Sequence, residues 1–174
     1  TQAALVASPA NPTGTVLSLE ELAALADAVR QNNGGAAGGL WVDEIYQGLN
    51  YTVEPQTVLS VADDAVVLNS FSKFFGMTGW RLGWGVWPEE LIDEAERLQI
   101  NSSSCANAAT QVAGVEALRG PQDAVDEMCA AFDERRKIIV NELNSVPGFT
   151  CLMPKGAFYA FANVTGTGSS SKEL

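Results

Sequence analysis

The sequence contains no histidine. Imidazole-ligated metal centres, and nucleophilic catalysis of the Ser-His or Cys-His kind, are therefore excluded within this chain. Cysteine is scarce: Cys105, Cys129 and Cys151 are odd in number and lack metal-site spacing, so they read as reduced core residues, which suits a cytosolic compartment. Basic residues are few as well, ten against twenty-one acidic ones for a net charge of −11. That balance argues against nucleic acid and anionic membrane surfaces as partners, while leaving room for a local site for a small anion. No apolar stretch approaches the roughly 20 residues that cross a bilayer, and no signal peptide is visible.

What is present is the composition of a globular domain: 174 residues, 47% hydrophobic and 18% charged. Strand and helix patterns alternate along it. Ala3 to Ala7 reads as a buried strand ended by the turn-rich Ser8-Pro9-Ala10-Asn11-Pro12-Thr13-Gly14. Ser18 and Glu21 form a capping-box pattern, and Leu22, Leu25, Ala26 and Val29 follow at helical spacing as far as Asn32-Asn33-Gly34-Gly35. A second strand, Leu40 to Val42, runs into Asp43-Glu44-Ile45-Tyr46, and a third spans Ala65 to Leu68, ending at Asn69-Ser70-Phe71-Ser72. This order predicts a mostly parallel sheet flanked by helices, an α/β fold. Further on, Leu82 to Trp87 reads as a strand, Pro88 as the first helical position of a helix through Leu98, and residues 105 to 119 as a helix halted by Gly120-Pro121. A long amphipathic helix carries Val125, Cys129, Phe132, Arg136 and Ile139 on one stripe and stops at Pro147-Gly148. From Phe149 the period changes to two, with Phe158, Ala160 and Ala162 alternating with Tyr159 and Phe161. The expected division is 1–120 as part of a large domain, 121–147 as a connecting helix, and 148–174 as the opening of a small C-terminal α/β domain, with a helix starting at Lys172.

Superposing the strand ends gathers chemistry at one edge. The first strand delivers Asn11, the second Asp43 and Tyr46, the third Ser70 and Lys73, with Arg81 eight residues beyond the lysine. Ligands of open α/β sheets bind at the carboxyl edge of the strands. Each residue has a plain structural reading: a snorkelling lysine, a turn asparagine, a capping aspartate, a half-buried tyrosine, a turn serine. Together they supply an amine that can form an imine with a carbonyl, a carboxylate, a phenol, an amide, and an Arg-Ser pair suited to an anion. That set matches pyridoxal 5'-phosphate, whose aldehyde takes a lysine amine, whose ring nitrogen is kept protonated by a carboxylate, and whose phosphate takes guanidinium and hydroxyl donors.

At these positions the sequence resembles the fold-type I pyridoxal-phosphate enzymes, and within them the class I/II aminotransferases related to aspartate aminotransferase. The matching motifs, in order, are Asn11-Pro12-Thr13-Gly14, Asp43-Glu44-Ile45-Tyr46, Ser70-Phe71-Ser72-Lys73, Gly79-Trp80-Arg81-Leu82-Gly83 and Gly156-Ala157-Phe158-Tyr159. The resemblance implies transamination of an amino acid with a 2-oxo acid, with Lys73 as Schiff-base lysine and later acid-base group. It implies Asp43 at the pyridine nitrogen, Tyr46 and Asn11 at the ring oxygen, Ser70 and Arg81 at the phosphate, and Asn11 close to the substrate carboxylate. It further implies a homodimer for the full-length protein. The family's glycine-rich phosphate segment, ring-stacking aromatic and substrate arm are expected before Thr1, and its carboxylate-clamping arginine after Leu174. The chain is then about half of a complete enzyme on the usual domain scale.

Other readings share parts of the pattern. Ser70-Phe71-Ser72-Lys73 fits the S-x-x-K of penicillin-recognising hydrolases, but neither S-D-N nor K-T-G occurs. A cofactor-free Schiff-base enzyme would leave Asp43, Tyr46 and Arg81 without a shared purpose. A carbon-sulfur lyase of the same fold, or the effector domain of an aminotransferase-like transcriptional regulator, would carry most of the same motifs.

Overall fold

A computed structural model describes residues 2–174. Strands β1 (Ala4–Ala7), β2 (Leu40–Asp43) and β3 (Val66–Ser70) lie side by side and parallel, and β4 (Gly83–Val86) runs antiparallel to β3, giving the order β1-β2-β3-β4. In register, Ala7 faces Asp43 and Asp43 faces Leu68. The parallel pairing therefore ends level at Ala7, Asp43 and Leu68, which is the condition for the residues that follow to share one edge. β-Branched Val42, Val66 and Val67 fill the middle of this sheet and are buried.

Helix α1 (Leu19–Asn33) connects β1 to β2. Its start is the expected capping box: the Ser18 hydroxyl accepts from Glu21 N at 3.2 Å, and Glu21 Oε2 accepts from Ser18 N at 2.8 Å. Its end is Gly34, left-handed at φ 74°, a conformation that only glycine adopts without cost. Leu22, Ala26 and Val29 are the buried residues of its apolar face, and Leu22 and Ala26 join Leu40, Val42, Val58, Ala62, Ala65 and Val67 in one core. Burying each larger aliphatic side chain there contributes about 1.5–3 kcal/mol.

One polar tie fixes α1 to the loop ahead of β3. Arg30 Nε donates to Asp64 Oδ2 at 2.9 Å and Nη2 bonds the other carboxylate oxygen, while Nη1 reaches Asp27 at 3.0 Å. The Arg30 hydrogen bonds hold the Asp64 carboxyl below its ordinary pKa of 3.8. Stability from a carboxylate whose folded pKa is depressed is present above the ordinary value and lost as pH falls through the folded one. The side chains are 34% and 30% exposed, so solvent screening keeps the pair modest. Replacing Arg30 with glutamine is expected to cost about 1 kcal/mol at neutral pH, and to flatten the acid-side loss of stability below pH 3.8 in denaturant titrations of the full-length protein. An unchanged acid limb in that variant would contradict the assignment.

Several elements depart from their sequence pattern for visible reasons. β3 runs two residues past Leu68 because Asn69 and Ser70 pair with Trp84 and Gly83 of β4. Pro88 stands before a 3-10 turn, Glu89–Leu91, and helix α2 (Ile92–Ser103) follows, extending five residues beyond Leu98. Helix α3 (Ala108–Arg119) begins later than residue 105 because Asn107 caps it, its Oδ1 taking the N–H groups of Ala109 and Thr110 at 2.9 and 3.3 Å. Helix α4 (Asp123–Ser145) keeps Cys129, Phe132 and Arg136 half-buried, but its stripe continues at Val140, while Ile139 is exposed.

The largest difference lies after α4. Only two-residue strands form there, β5 (Thr150–Cys151) pairing antiparallel with β6 (Ala162–Asn163), and residues 158–161 lie outside the ladder despite their alternating pattern. The intervening chain is bound elsewhere. Lys155 N and Gly156 N donate to Gly14 O at 2.9 and 3.0 Å, and Ala157 N donates to Leu49 O at 2.9 Å. Ala157 itself is left-handed at φ 60° and fully buried, which turns Phe158 and Tyr159 back toward the sheet edge. At the end of the chain, Glu173 N donates to Ser170 O at 3.0 Å, closing a single turn.

Candidate active site

The carboxyl edge of β1, β2 and β3 is organised around Tyr46. This residue is buried, and four groups from four segments meet it. Asn11, in the loop after β1, acts on its hydroxyl through a side-chain amide, and the charge of Asp43 acts on it from the end of β2. Lys73 Nζ lies 5.8 Å from its ring centroid, and the Tyr159 hydroxyl bonds its own. Burial above all, with the charge of Asp43 beside it, pushes the Tyr46 phenol well above its ordinary pKa of 10.0, so it is a proton donor at any physiological pH.

Alternation along β2 explains the Asp-Glu pair. Asp43 is half-buried, and its Oδ1 accepts from Ile45 N at 3.0 Å, leaving Oδ2 without a partner among the described residues. Glu44 points the other way into the protein, where its Oε1 accepts from Val58 N at 2.8 Å and burial raises its pKa. It is a structural carboxylate that holds the turn at Val58.

Lys73 is presented by a tight turn after β3. Ser70 Oγ accepts from Ser72 N at 3.0 Å, and Gly76 N donates to Lys73 O at 3.1 Å. The phenylalanines around it are anchored to one another: Phe71 packs on Phe75 and Trp84 with centroids 5.4 and 5.0 Å away, and Phe74 on Phe75 at 5.0 Å. The lysine amine instead faces the rings of Tyr46 and Phe158, the latter at 5.6 Å, and none of the ion pairs among the described residues involves it. A lysine over two aromatic faces with no carboxylate beside it is not a plain surface snorkeller.

Ser70 and Arg81 lie at the β3–β4 end of the same edge. Ser70 pairs with Gly83, two residues past Arg81, and Phe71 N donates to Leu82 O at 3.1 Å. A Cβ on Gly83 would come within 2.9 Å of Asn69 O, so the two strands need glycine there. Arg81 is left-handed at φ 54° and exposed, with Nη1 bonded to Thr78 O at 2.9 Å. No hydrogen bond joins it to Ser70 among the described residues, so its other guanidinium donors are open.

Phe158 and Tyr159 complete the constellation. The aromatic alternation of 158–161 predicts a strand, and a strand at these positions would not bring them to Lys73 and Tyr46. The signal in the sequence is Gly156: a Cβ there would sit 2.7 Å from Pro9, marking a close crossing of this segment over the loop after β1.

Comparison with known proteins gives the family. Residues 1–174 match the family described as aminotransferase class I and II. The chain belongs to that family. Its members are pyridoxal-phosphate-dependent enzymes of fold type I. Among curated relatives, the chain is 39% identical to an aspartate aminotransferase of Geobacillus stearothermophilus over 171 residues, covering 94% of this chain and 42% of that protein. It is 40% identical to an aspartate aminotransferase of Streptomyces avermitilis, covering 94% of this chain and 40% of that protein. Among solved structures, an aromatic aminotransferase of Pyrococcus horikoshii superposes with a TM-score of 0.89 at 34% identity, over 99% of this chain and 47% of that one. The chain thus spans less than half the length of the relatives it matches.

The residues at the edge fit the family's cofactor by their chemistry. Asp43 Oδ2 is an open acceptor for a ring N–H, the Tyr46 and Asn11 side chains supply donors for a ring oxygen, and the Ser70 hydroxyl and Arg81 guanidinium supply donors for a phosphate. Lys73 supplies an amine with no competing anion.

Proposed function

We propose that the full-length protein is a pyridoxal-phosphate-dependent aminotransferase that exchanges an amino group between an amino acid and a 2-oxo acid, with Lys73 as the lysine that carries the cofactor in a Schiff base. The observation that supports this most is the Lys73 amine set against Tyr46 and Phe158 at the level end of three parallel strands, with Asp43 on the neighbouring strand. Pyridoxal phosphate, when bound, supplies an aldehyde for amines and a protonatable ring that draws electrons from the carbon beside the substrate nitrogen.

The residues then divide the work. Asp43 fixes a negative charge beside the ring nitrogen and keeps a proton there. Tyr46 and Asn11 hold the ring oxygen, and Asn11 also lies toward the substrate carboxylate. Ser70 and Arg81 anchor the phosphate by charge-assisted hydrogen bonds. Lys73 Nζ would be the group that moves protons at the site, as general base and then acid. The mutually packed phenylalanines flanking Lys73 would limit the access of water to its amine.

The partners are small molecules, an amino acid and a 2-oxo acid, and the assembled enzyme is a homodimer. The three cysteines are free, which suits a reducing compartment such as the cytoplasm. No helix among the described residues is long and apolar enough to cross a membrane. Residues 1–120 belong to the cofactor domain, 121–147 connect, and 148–174 open the smaller one.

The test is chemical. When the full-length protein is incubated with pyridoxal phosphate and reduced with borohydride, the peptide containing Lys73 is expected to carry the pyridoxyl group. A label on another lysine, or none, refutes the assignment.

A further inference from the structure

Tyr46 and Tyr159 meet hydroxyl to hydroxyl across 113 residues of sequence, with ring centroids 5.5 Å apart and planes at 76°. The Asn11 amide acts on the same hydroxyl from a third segment. A phenol oxygen offers one proton and two lone pairs. If Tyr46 gave its proton to Tyr159, it would have none for a ligand. If Tyr159 donates, one lone pair of Tyr46 is filled and its own proton is free to point into the site that Lys73 faces.

We propose that Tyr159 is a positioning residue: its hydroxyl donates to Tyr46, and so commits the Tyr46 proton to the anionic ring oxygen of the bound cofactor. This rests on the reading of the edge as a pyridoxal-phosphate site. The backbone supports the role, because Tyr159 is delivered by a constrained segment: Ala157 is left-handed and fully buried, and Lys155 and Gly156 are tied to Gly14 O. The Tyr159 ring also packs on Phe158, with centroids 5.0 Å apart. An anionic acceptor beside Tyr46 favours this direction of donation, since each bond in a Tyr159 to Tyr46 to oxygen chain polarises the next.

The experiment reads the bound cofactor's absorbance against pH in the full-length protein. A donor to the ring oxygen stabilises the deprotonated chromophore and lowers the midpoint of its titration. Tyr159→Phe keeps the ring and its packing but removes the donor, and is expected to raise the midpoint by about half to one pH unit, the scale of one hydrogen bond. Tyr46→Phe should raise it further, and adding Tyr159→Phe to Tyr46→Phe should change nothing more, because the second residue acts only through the first. A purely structural role would instead give additive shifts, or a loss of thermal stability with the midpoint unmoved. If Tyr46→Phe shifts the midpoint and Tyr159→Phe leaves it in place, this inference is overturned while the cofactor reading stands. A protein that takes up no pyridoxal phosphate overturns both.

Discussion

Lys73→Arg is expected to abolish covalent retention of the cofactor and to lower turnover by about 10³-fold or more, at the upper end of what general acid-base catalysis contributes. Arginine separates the two readings of this position. Both side chains place a cation over the faces of Tyr46 and Phe158, where the Lys73 amine lies 5.8 and 5.6 Å from the centroids. If the residue serves packing and cation–π attraction, arginine retains most of its contribution. If it serves chemistry, arginine fails, because a guanidinium stays protonated at all accessible pH and cannot act as the attacking amine or as a base. Lys73→Ala should fail in the same way, with the added loss of stem packing. The readouts are single-turnover conversion of an amino donor and the mass of the borohydride-reduced protein. Wild-type single-turnover rates in Lys73→Arg would remove Lys73 from the mechanism and leave it a structural cation.

The way these residues converge is legible in the sequence where local chemistry decides it. Short apolar runs mark β2 and β3, and because the parallel pairing ends level, the pattern alone places Asp43 and Lys73 at one edge. The Ser18 and Glu21 spacing is enough for the start of α1, since a capping box is satisfied within four residues. What stays hidden depends on distant partners. The extra length of β3 exists because β4 pairs with it, and the late start of α3 because Asn107 is a better cap than the Cys105 and Ala106 before it. Residues 158–161 carry a strand pattern, yet the preceding turn gives its hydrogen bonds to Gly14 and Leu49 and leaves Phe158 and Tyr159 to face Tyr46, and Phe158 to face Lys73. Periodicity reports which residues alternate, not which surface they alternate against. Tyr159 is therefore visible in the sequence as a motif residue but not as the partner of Tyr46.

Asp43 carries the other large expected effect, and two substitutions isolate its charge. In the protein its Oδ1 accepts from Ile45 N at 3.0 Å, so Asp43→Ala removes both a turn-forming acceptor and a negative charge. Asp43→Asn keeps an acceptor oxygen for Ile45 and removes only the charge. An adjacent carboxylate raises the pKa of a cationic ring nitrogen by about one to three units, so without it the nitrogen is mostly unprotonated at neutral pH. Both variants are then expected to retain part of their cofactor affinity, since Ser70, Arg81 and Lys73 are untouched, and to lose about 10- to 1,000-fold in half-transamination. Asp43→Asn should match Asp43→Ala in rate but exceed it in stability, because the turn at Ile45 survives. The Asp43→Asn variant is also expected to regain rate as pH falls, since solvent protons then do what the carboxylate did. Unimpaired half-transamination by Asp43→Asn would mean that the carboxylate shapes the turn and nothing more.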